Sequence, residues 1–149
     1  MVAVALGSNL GDRAAHLDYA VSRLAPFLAS LRVSSYHDTD PVGTPVPQAR
    51  YLNAALVGET SLSPHALLDL LLTIEQERGR ERPYVNAPRT LDLDLLFYGD
   101  HVVCDAGLVV PHPRLRERRF VLAPLAEVAP QFRDPETGLN VADLLARLD

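Results

Sequence analysis

Gly79-Arg80-Glu81-Arg82-Pro83-Tyr84-Val85-Asn86-Ala87-Pro88-Arg89-Thr90-Leu91-Asp92-Leu93-Asp94-Leu95-Leu96 joins a Gly/Pro-bounded loop with three arginines to a run of alternating leucine and acid. A period of two is the pattern of a β-strand with one apolar face, so Asp92 and Asp94 point one way and Leu91, Leu93 and Leu95 the other. In an extended chain the two aspartate Cα atoms stand about 6.5 Å apart, close enough for both carboxylates to share a pair of hard cations. Magnesium suits such a pair, because it takes one or two protein carboxylates and completes its shell with water and phosphate oxygens. A half-buried strand with a solvated acidic face accounts for the same alternation. The three nearby arginines favour a site, since like charges on neighbouring positions call for counter-charge.

Working back from this strand, Ser63-Pro64 supplies a helix cap followed by proline at the first helical position, and Gly79 closes an apolar helix over 64–78. Glu75 lies one turn before its end, where a carboxylate opposes the helix dipole, which hints at a partner, although a solvated glutamate explains it as well. Tyr51 to Thr60 reads as a strand, and Leu31 to Thr39 as another. Between them, Asp40-Pro41-Val42-Gly43-Thr44-Pro45-Val46-Pro47 holds too many prolines for regular structure and is expected to be a binding loop or lid. At the start, Val2 to Leu6 is a buried strand, Gly7 begins a turn, and a helix follows from about Asp12 to Leu24. A glycine turn of this kind can cradle phosphate, but the residues favour a purely geometric turn capped by Asn9 or Asp12. The order strand, helix, strand, strand, helix, strand predicts an α+β, ferredoxin-like sandwich. Its sheet is mostly antiparallel, with helices on both faces and extra elements at the C-terminal end.

The 149 residues are the size of one domain, so a single unit over 1–149 is expected. A net charge of -5 argues against a nucleic-acid partner, which confines any phosphate chemistry to a local site. All 14 basic residues are arginine, which excludes a phosphate-loop lysine and Schiff-base chemistry and leaves the guanidinium fork as the anion ligand. The single Cys104 permits no internal disulfide and is expected to be a buried, reduced thiol. The apolar start at Met1 to Gly7 is too short for a leader or a span, so no membrane partner is expected, and a cytoplasmic monomer is.

Beyond the central strand, Val102 to Val110 reads as a short hairpin, and His112 is held between Pro111 and Pro113. Arg114, Arg116, Arg118 and Arg119 form a second basic cluster, either a solvated helical turn or a complement to a bound anion. A short helical segment is expected near Leu125 to Val128 and a last helix from about Asn140 to Leu148. Neither suggests chemistry.

Several motifs resemble those of the 6-hydroxymethyl-7,8-dihydropterin pyrophosphokinase family. They are Ala5-Leu6-Gly7-Ser8-Asn9, Thr39-Asp40-Pro41-Val42-Gly43, Tyr51-Leu52-Asn53-Ala54, Ile74-Glu75 with Gly79-Arg80, Pro88-Arg89-Thr90-Leu91-Asp92-Leu93-Asp94, and Val110-Pro111-His112. They span nearly the full length in family order. The resemblance implies transfer of diphosphate from ATP to the pterin hydroxymethyl group in folate biosynthesis, with release of AMP. It implies that Asp92 and Asp94 bind two magnesium ions, and that Arg80, Arg82, Arg89, His112 and Arg118 contact the triphosphate, Arg80 and Arg89 sharing the catalytic role with the aspartates. Leu68, Leu72, Glu75 and Leu95 fall where the nucleotide pocket lies. Thr39, Asp40, Val42, Tyr51, Asn53, Asn86 and Phe120 fall where the pterin lies. Asn86 stands where many members have tryptophan, Asp40 replaces a common proline, Pro113 a common tyrosine, and Arg119 a common glycine. Two other functions fit the bare residues: a two-metal phosphodiesterase, and a ferredoxin-like module that binds an effector without turnover.

Overall fold

The computed structural model describes residues 1–39, 50–79, 90–105 and 107–148. Asp40, Val42, Arg80, Arg82, Asn86 and Arg89 lie outside them. The elements in chain order are β1 (Val2–Ser8), α1 (Arg13–Leu24), β2 (Ala29–Val33), β3 (His37–Thr39), β4 (Tyr51–Glu59), α2 (Pro64–Glu77), β5 (Asp92–Tyr98), β6 (Val103–Asp105), β7 (Leu108–Val110), α3 (Arg119–Val128) and α4 (Val141–Ala146).

β1 is the axis of the sheet. It pairs antiparallel with β4 on one side and β5 on the other, while β2 and β3 pair with successive lengths of β4, giving the order β2-β4-β1-β5. Alternation along β1 sends Val2, Val4 and Leu6 into a core with Leu17, Ala20 and Leu24 of α1 and Leu67, Leu71 and Ile74 of α2. Ala3 turns to the other face, into a second core with Val121, Leu122 and Leu125 of α3 and Val141 and Leu144 of α4. The fold is thus α+β, with an antiparallel main sheet and helices on both faces. In β5, Leu93 and Leu95 enter the first core while Leu96 and Phe97 both enter the second. A register shift against Ala3 and Val4 permits this: Leu95 pairs with Val4 but Phe97 with Ala3, so Leu96 is an extra residue of the kind a β-bulge supplies.

Local signals fix the helix ends. The Asp12 carboxylate accepts the Ala15 N–H at 3.1 Å and the Ser63 hydroxyl accepts the Ala66 N–H at 3.2 Å, each satisfying a donor that the first turn leaves orphaned. Asp12 therefore fills the N-terminus of α1, and the reading of that turn as a phosphate cradle gives way to the cap. After α2, Gly79 takes a φ of 76°, the left-handed conformation that glycine adopts without steric cost.

Four expectations are corrected. Gly7 lies within β1 rather than in a turn, paired with Asn53 and Asp92. The strand expected over Leu31 to Thr39 is broken after Val33: the Ser34 N–H donates to the Ala55 carbonyl of β4 at 2.9 Å, but the Ala55 N–H donates to the Ser34 hydroxyl, also at 2.9 Å, instead of to a backbone carbonyl. Cys104 is exposed, because β6 and β7 form a separate two-stranded ribbon in which Leu108 and Val110 are buried while Cys104 pairs with Val109 on the outside. α3 begins at Arg119, not near Leu125. Pro124 lies inside it, and burial of Val121, Leu122, Leu125 and Val128 offsets the hydrogen bond that a proline cannot make.

Candidate active site

On the α3 side of the sheet, beyond the end of the second core, one row of cross-strand partners runs through four strands: Asp92 of β5, Gly7 of β1, Asn53 of β4 and His37 of β3. Asp94, paired with Ala5, stands on the same face one step along. Glycine in the middle of the row leaves its floor open. A Cβ at Gly7 would lie 3.1 Å from Asn53 Oδ1 and 3.8 Å from Tyr51 Cδ1, so both of those side chains lean over the position. Asn53 is buried, and its amide donates to the Thr39 hydroxyl at 2.5 Å. Thr39, Tyr51 and Asn53 therefore form one wall, and Asp92 and Asp94 the other.

Asp94 keeps its side chain 37% exposed, with His112 Nε2 4.0 Å from its Oδ1. The Nδ1 atom of His112 accepts the Arg114 N–H at 3.2 Å, which assigns the ring proton to Nε2, the nitrogen on the Asp94 side. Burial pushes the imidazole below its usual range and the Arg118 guanidinium adds to this, outweighing the opposite pull of Asp92. His112 is a neutral donor here rather than a cation. Its backbone N–H donates to the Leu96 carbonyl at 2.9 Å, so the segment after β7 is tied to the outer edge of β5.

Arg118 occupies the cap position of α3, with its guanidinium carbon 5.5 Å from the centre of the Phe120 ring. Phe120, in the first turn, packs partly against the second core. The rest of the second basic cluster divides. Arg116 donates to both oxygens of the buried Asp134, at 2.6 and 3.0 Å, and to Glu136 at 2.9 Å. Arg114 pairs with Glu117 at 2.9 Å. Of the two alternatives for this cluster, neither a bound anion nor plain solvation describes these two, because internal carboxylates take their guanidinium groups.

Across the edge of β5, Leu68, Leu72 and Glu75 form an i, i+4, i+7 stripe on α2. Leu72 is exposed and Leu68 half-buried, whereas Leu95 is 5% exposed, so its side chain belongs to the core. The partner hinted at for Glu75 is the edge strand itself: its carboxylate is buried and accepts the Leu93 N–H at 2.7 Å. Sequence reasoning passed over Gly7 as a site residue, although its place in the Gly7-Ser8-Asn9 motif marked it.

Among the described residues no group of three or more His, Cys, Asp or Glu could hold a metal ion. The donors at this face are two carboxylates on neighbouring same-face positions beside the bare backbone of Gly7 and the small Ala5. They fit magnesium, which leaves most of its shell to water and phosphate, better than a metal that needs a full protein cage. No described helix is long and apolar enough to cross a membrane.

The family model for 7,8-dihydro-6-hydroxymethylpterin-pyrophosphokinase (HPPK) matches residues 3–130. The chain is 47% identical over 137 residues to the 2-amino-4-hydroxy-6-hydroxymethyldihydropteridine pyrophosphokinase of Bacillus subtilis, covering 91% of this chain and 81% of the relative. It is 43% identical over 149 residues to the protein of the same name from Synechocystis, covering 98% of this chain and 75% of that one. An Arabidopsis thaliana folate synthesis bifunctional protein is 45% identical over 129 residues, 85% of this chain and 26% of the relative. Wild-type HPPK-DHPS from Plasmodium falciparum shares the fold, with a TM-score of 0.76 at 12% identity, over 98% of this chain and 44% of that longer one. The chain therefore belongs to the 7,8-dihydro-6-hydroxymethylpterin-pyrophosphokinase family and is an enzyme of that class.

Proposed function

We propose that this chain transfers diphosphate from ATP to the hydroxymethyl group of 6-hydroxymethyl-7,8-dihydropterin in folate biosynthesis, releasing AMP, with Asp92 and Asp94 as the magnesium ligands. The observation that carries the reading is the row from Asp92 through Gly7 to Asn53. Two strand spacings put the outer Cα atoms about 10 Å apart, which leaves room for reacting groups over a floor without side chains. Asn53, Thr39 and Tyr51 hold the pterin on one side, with Phe120 stacking on its ring and Asp40, Val42 and Asn86 completing its contacts.

On the other side, Asp92 and Asp94 orient the nucleotide through the cations. Two magnesium ions, when bound, supply roughly four positive charges against the roughly four negative charges of ATP. Arg80, Arg82, Arg89 and Arg118 offset the aspartates, and neutral His112 offers an N–H to a phosphate oxygen instead of a further charge. The Leu68 and Leu72 face of α2 lies across the edge of β5 and suits the nucleoside, with buried Glu75 and Leu95 supporting it from beneath, so the nucleotide spans that edge. The strand order β2-β4-β1-β5 with α1 and α2 on one face supports a ferredoxin-like description, to which α3 and α4 are additions. The test is incubation with ATP, magnesium and the reduced hydroxymethylpterin. AMP and pterin diphosphate in equal amounts, dependent on pterin, support the proposal; AMP without pterin points to a phosphodiesterase, and binding without AMP to a sensor.

A further inference from the structure

Glu127 lies in the last turn of α3, at the end of the helix dipole that disfavours an anion, yet both its oxygens are engaged. The Ser35 N–H donates to Oε1 at 2.9 Å, the Ser35 hydroxyl lies 2.9 Å from each oxygen, and His37 Nε2 meets Oε2. Ser35 sits in the break between β2 and β3, and His37 opens β3. Two residues on, Thr39 accepts from the Asn53 amide. In the other direction, seven residues back along α3 is two turns, about 10.5 Å, which places Phe120 on the same stripe as Glu127. One carboxylate thus ties the helix carrying Phe120 to the strand carrying Thr39.

The opposite side of β3 is held as well. Asp38 accepts from the Arg13 guanidinium at 3.1 and 3.2 Å and from Arg50 Nε at 3.1 Å, while Arg13 also donates to the Arg50 carbonyl at 2.7 Å. With its far side anchored to α1, β3 can shift relative to α3 only by breaking the Glu127 contacts.

We propose that Glu127 is a positioning residue for the pterin pocket: through Ser35 and His37 it fixes the spacing between Phe120 on α3 and Thr39 and Asn53 at the edge of the sheet, and so sets pterin affinity without touching substrate. The inference rests on the reading of that pocket given above. Glu127→Ala is expected to raise the pterin KM about tenfold while the ATP KM and kcat stay within about twofold of wild type, the pattern of lost binding that is uniform between ground and transition states. Glu127→Gln keeps an acceptor for the Ser35 N–H and falls between. A pterin KM unchanged in a folded Glu127→Ala variant, or both KM values rising together, overturns the proposal, and should the alanine variant not fold, the glutamine variant is judged by the same criterion. Amide exchange decides the clamp without any turnover: Glu127→Ala is expected to speed exchange over 35–39 with α1 unaffected, and unchanged exchange there refutes it. Wild-type protein that makes no AMP would refute the pocket reading alone.

Discussion

The buried carboxylate of Glu75 accepts the backbone N–H of Leu93 at 2.7 Å, so α2 grips the edge strand between its two aspartates. An edge strand offers unpaired N–H groups, and this one finds its acceptor in a helix rather than in a neighbouring strand. The unfavourable place of Glu75 in α2 follows from that bond. Glu75→Ala strands a buried donor, which costs about 1–3 kcal/mol. Thermal melting followed by circular dichroism is expected to show a lower midpoint for Glu75→Ala and most of it recovered in Glu75→Gln, which retains an acceptor oxygen.

Gly7→Ala tests the floor of the site. The new Cβ would stand 3.1 Å from Asn53 Oδ1, so the amide that donates to Thr39 must move. Crowding of this kind costs about 1–3 kcal/mol, and about 1.4 kcal/mol is tenfold in affinity. Calorimetric titration is expected to show pterin binding about five- to a hundredfold weaker, with nucleotide binding within about twofold of wild type. Equal weakening of both ligands would mean general damage to β1.

Asp92→Asn and Asp94→Asn keep the size of each side chain and remove its charge. Each is expected to lower kcat by at least about a hundredfold, because a carboxylate ligand to a reacting cation acts mainly in the transition state. Pterin affinity measured without nucleotide should stay within about threefold of wild type in each variant, since Asn53, Thr39 and Tyr51 are untouched.

Acid stability should carry the mark of Glu77. Arg23, donating at 2.7 and 2.9 Å, and then the Tyr19 hydroxyl hold this carboxyl at about 2, well below its ordinary 4.5. A group with a depressed folded pKa contributes stability that is complete above its unfolded value and is lost as pH falls through the folded one. The contribution therefore disappears between about pH 4.5 and 2. Urea midpoints measured over that range are expected to fall less steeply in Glu77→Gln than in wild type.

Much of this architecture is written in short-range signals. Ser63 and Gly79 bracket α2, Asp12 starts α1, and the leucine-acid alternation places Asp92 and Asp94 on one face. What escaped the sequence depends on partners far along the chain. Glu127 meets Ser35 and His37 from 92 and 90 residues away, and nothing beside it in α3 marks it. Arg116 looks like its arginine neighbours until Asp134, 18 residues later, folds back to take its guanidinium. Ser34 interrupts a plausible strand because its hydroxyl accepts the Ala55 N–H of β4, a donor the strand ladder would otherwise use. Pro124 masks α3, since the burial that overrides a helix breaker is a property of the second core and not of the local sequence.

The assignment of Asp92 and Asp94 as joint cation ligands is open to direct test with Mn2+ as a paramagnetic stand-in for magnesium. In the presence of a nonhydrolysable ATP analogue and the pterin, electron paramagnetic resonance of the wild-type protein is expected to show two bound ions per chain with the spin coupling of a pair about 3.5–4 Å apart. Asp94→Ala is expected to lose the coupling and at least one ion. Two coupled ions bound with unchanged affinity by a chain lacking both carboxylates would contradict the account.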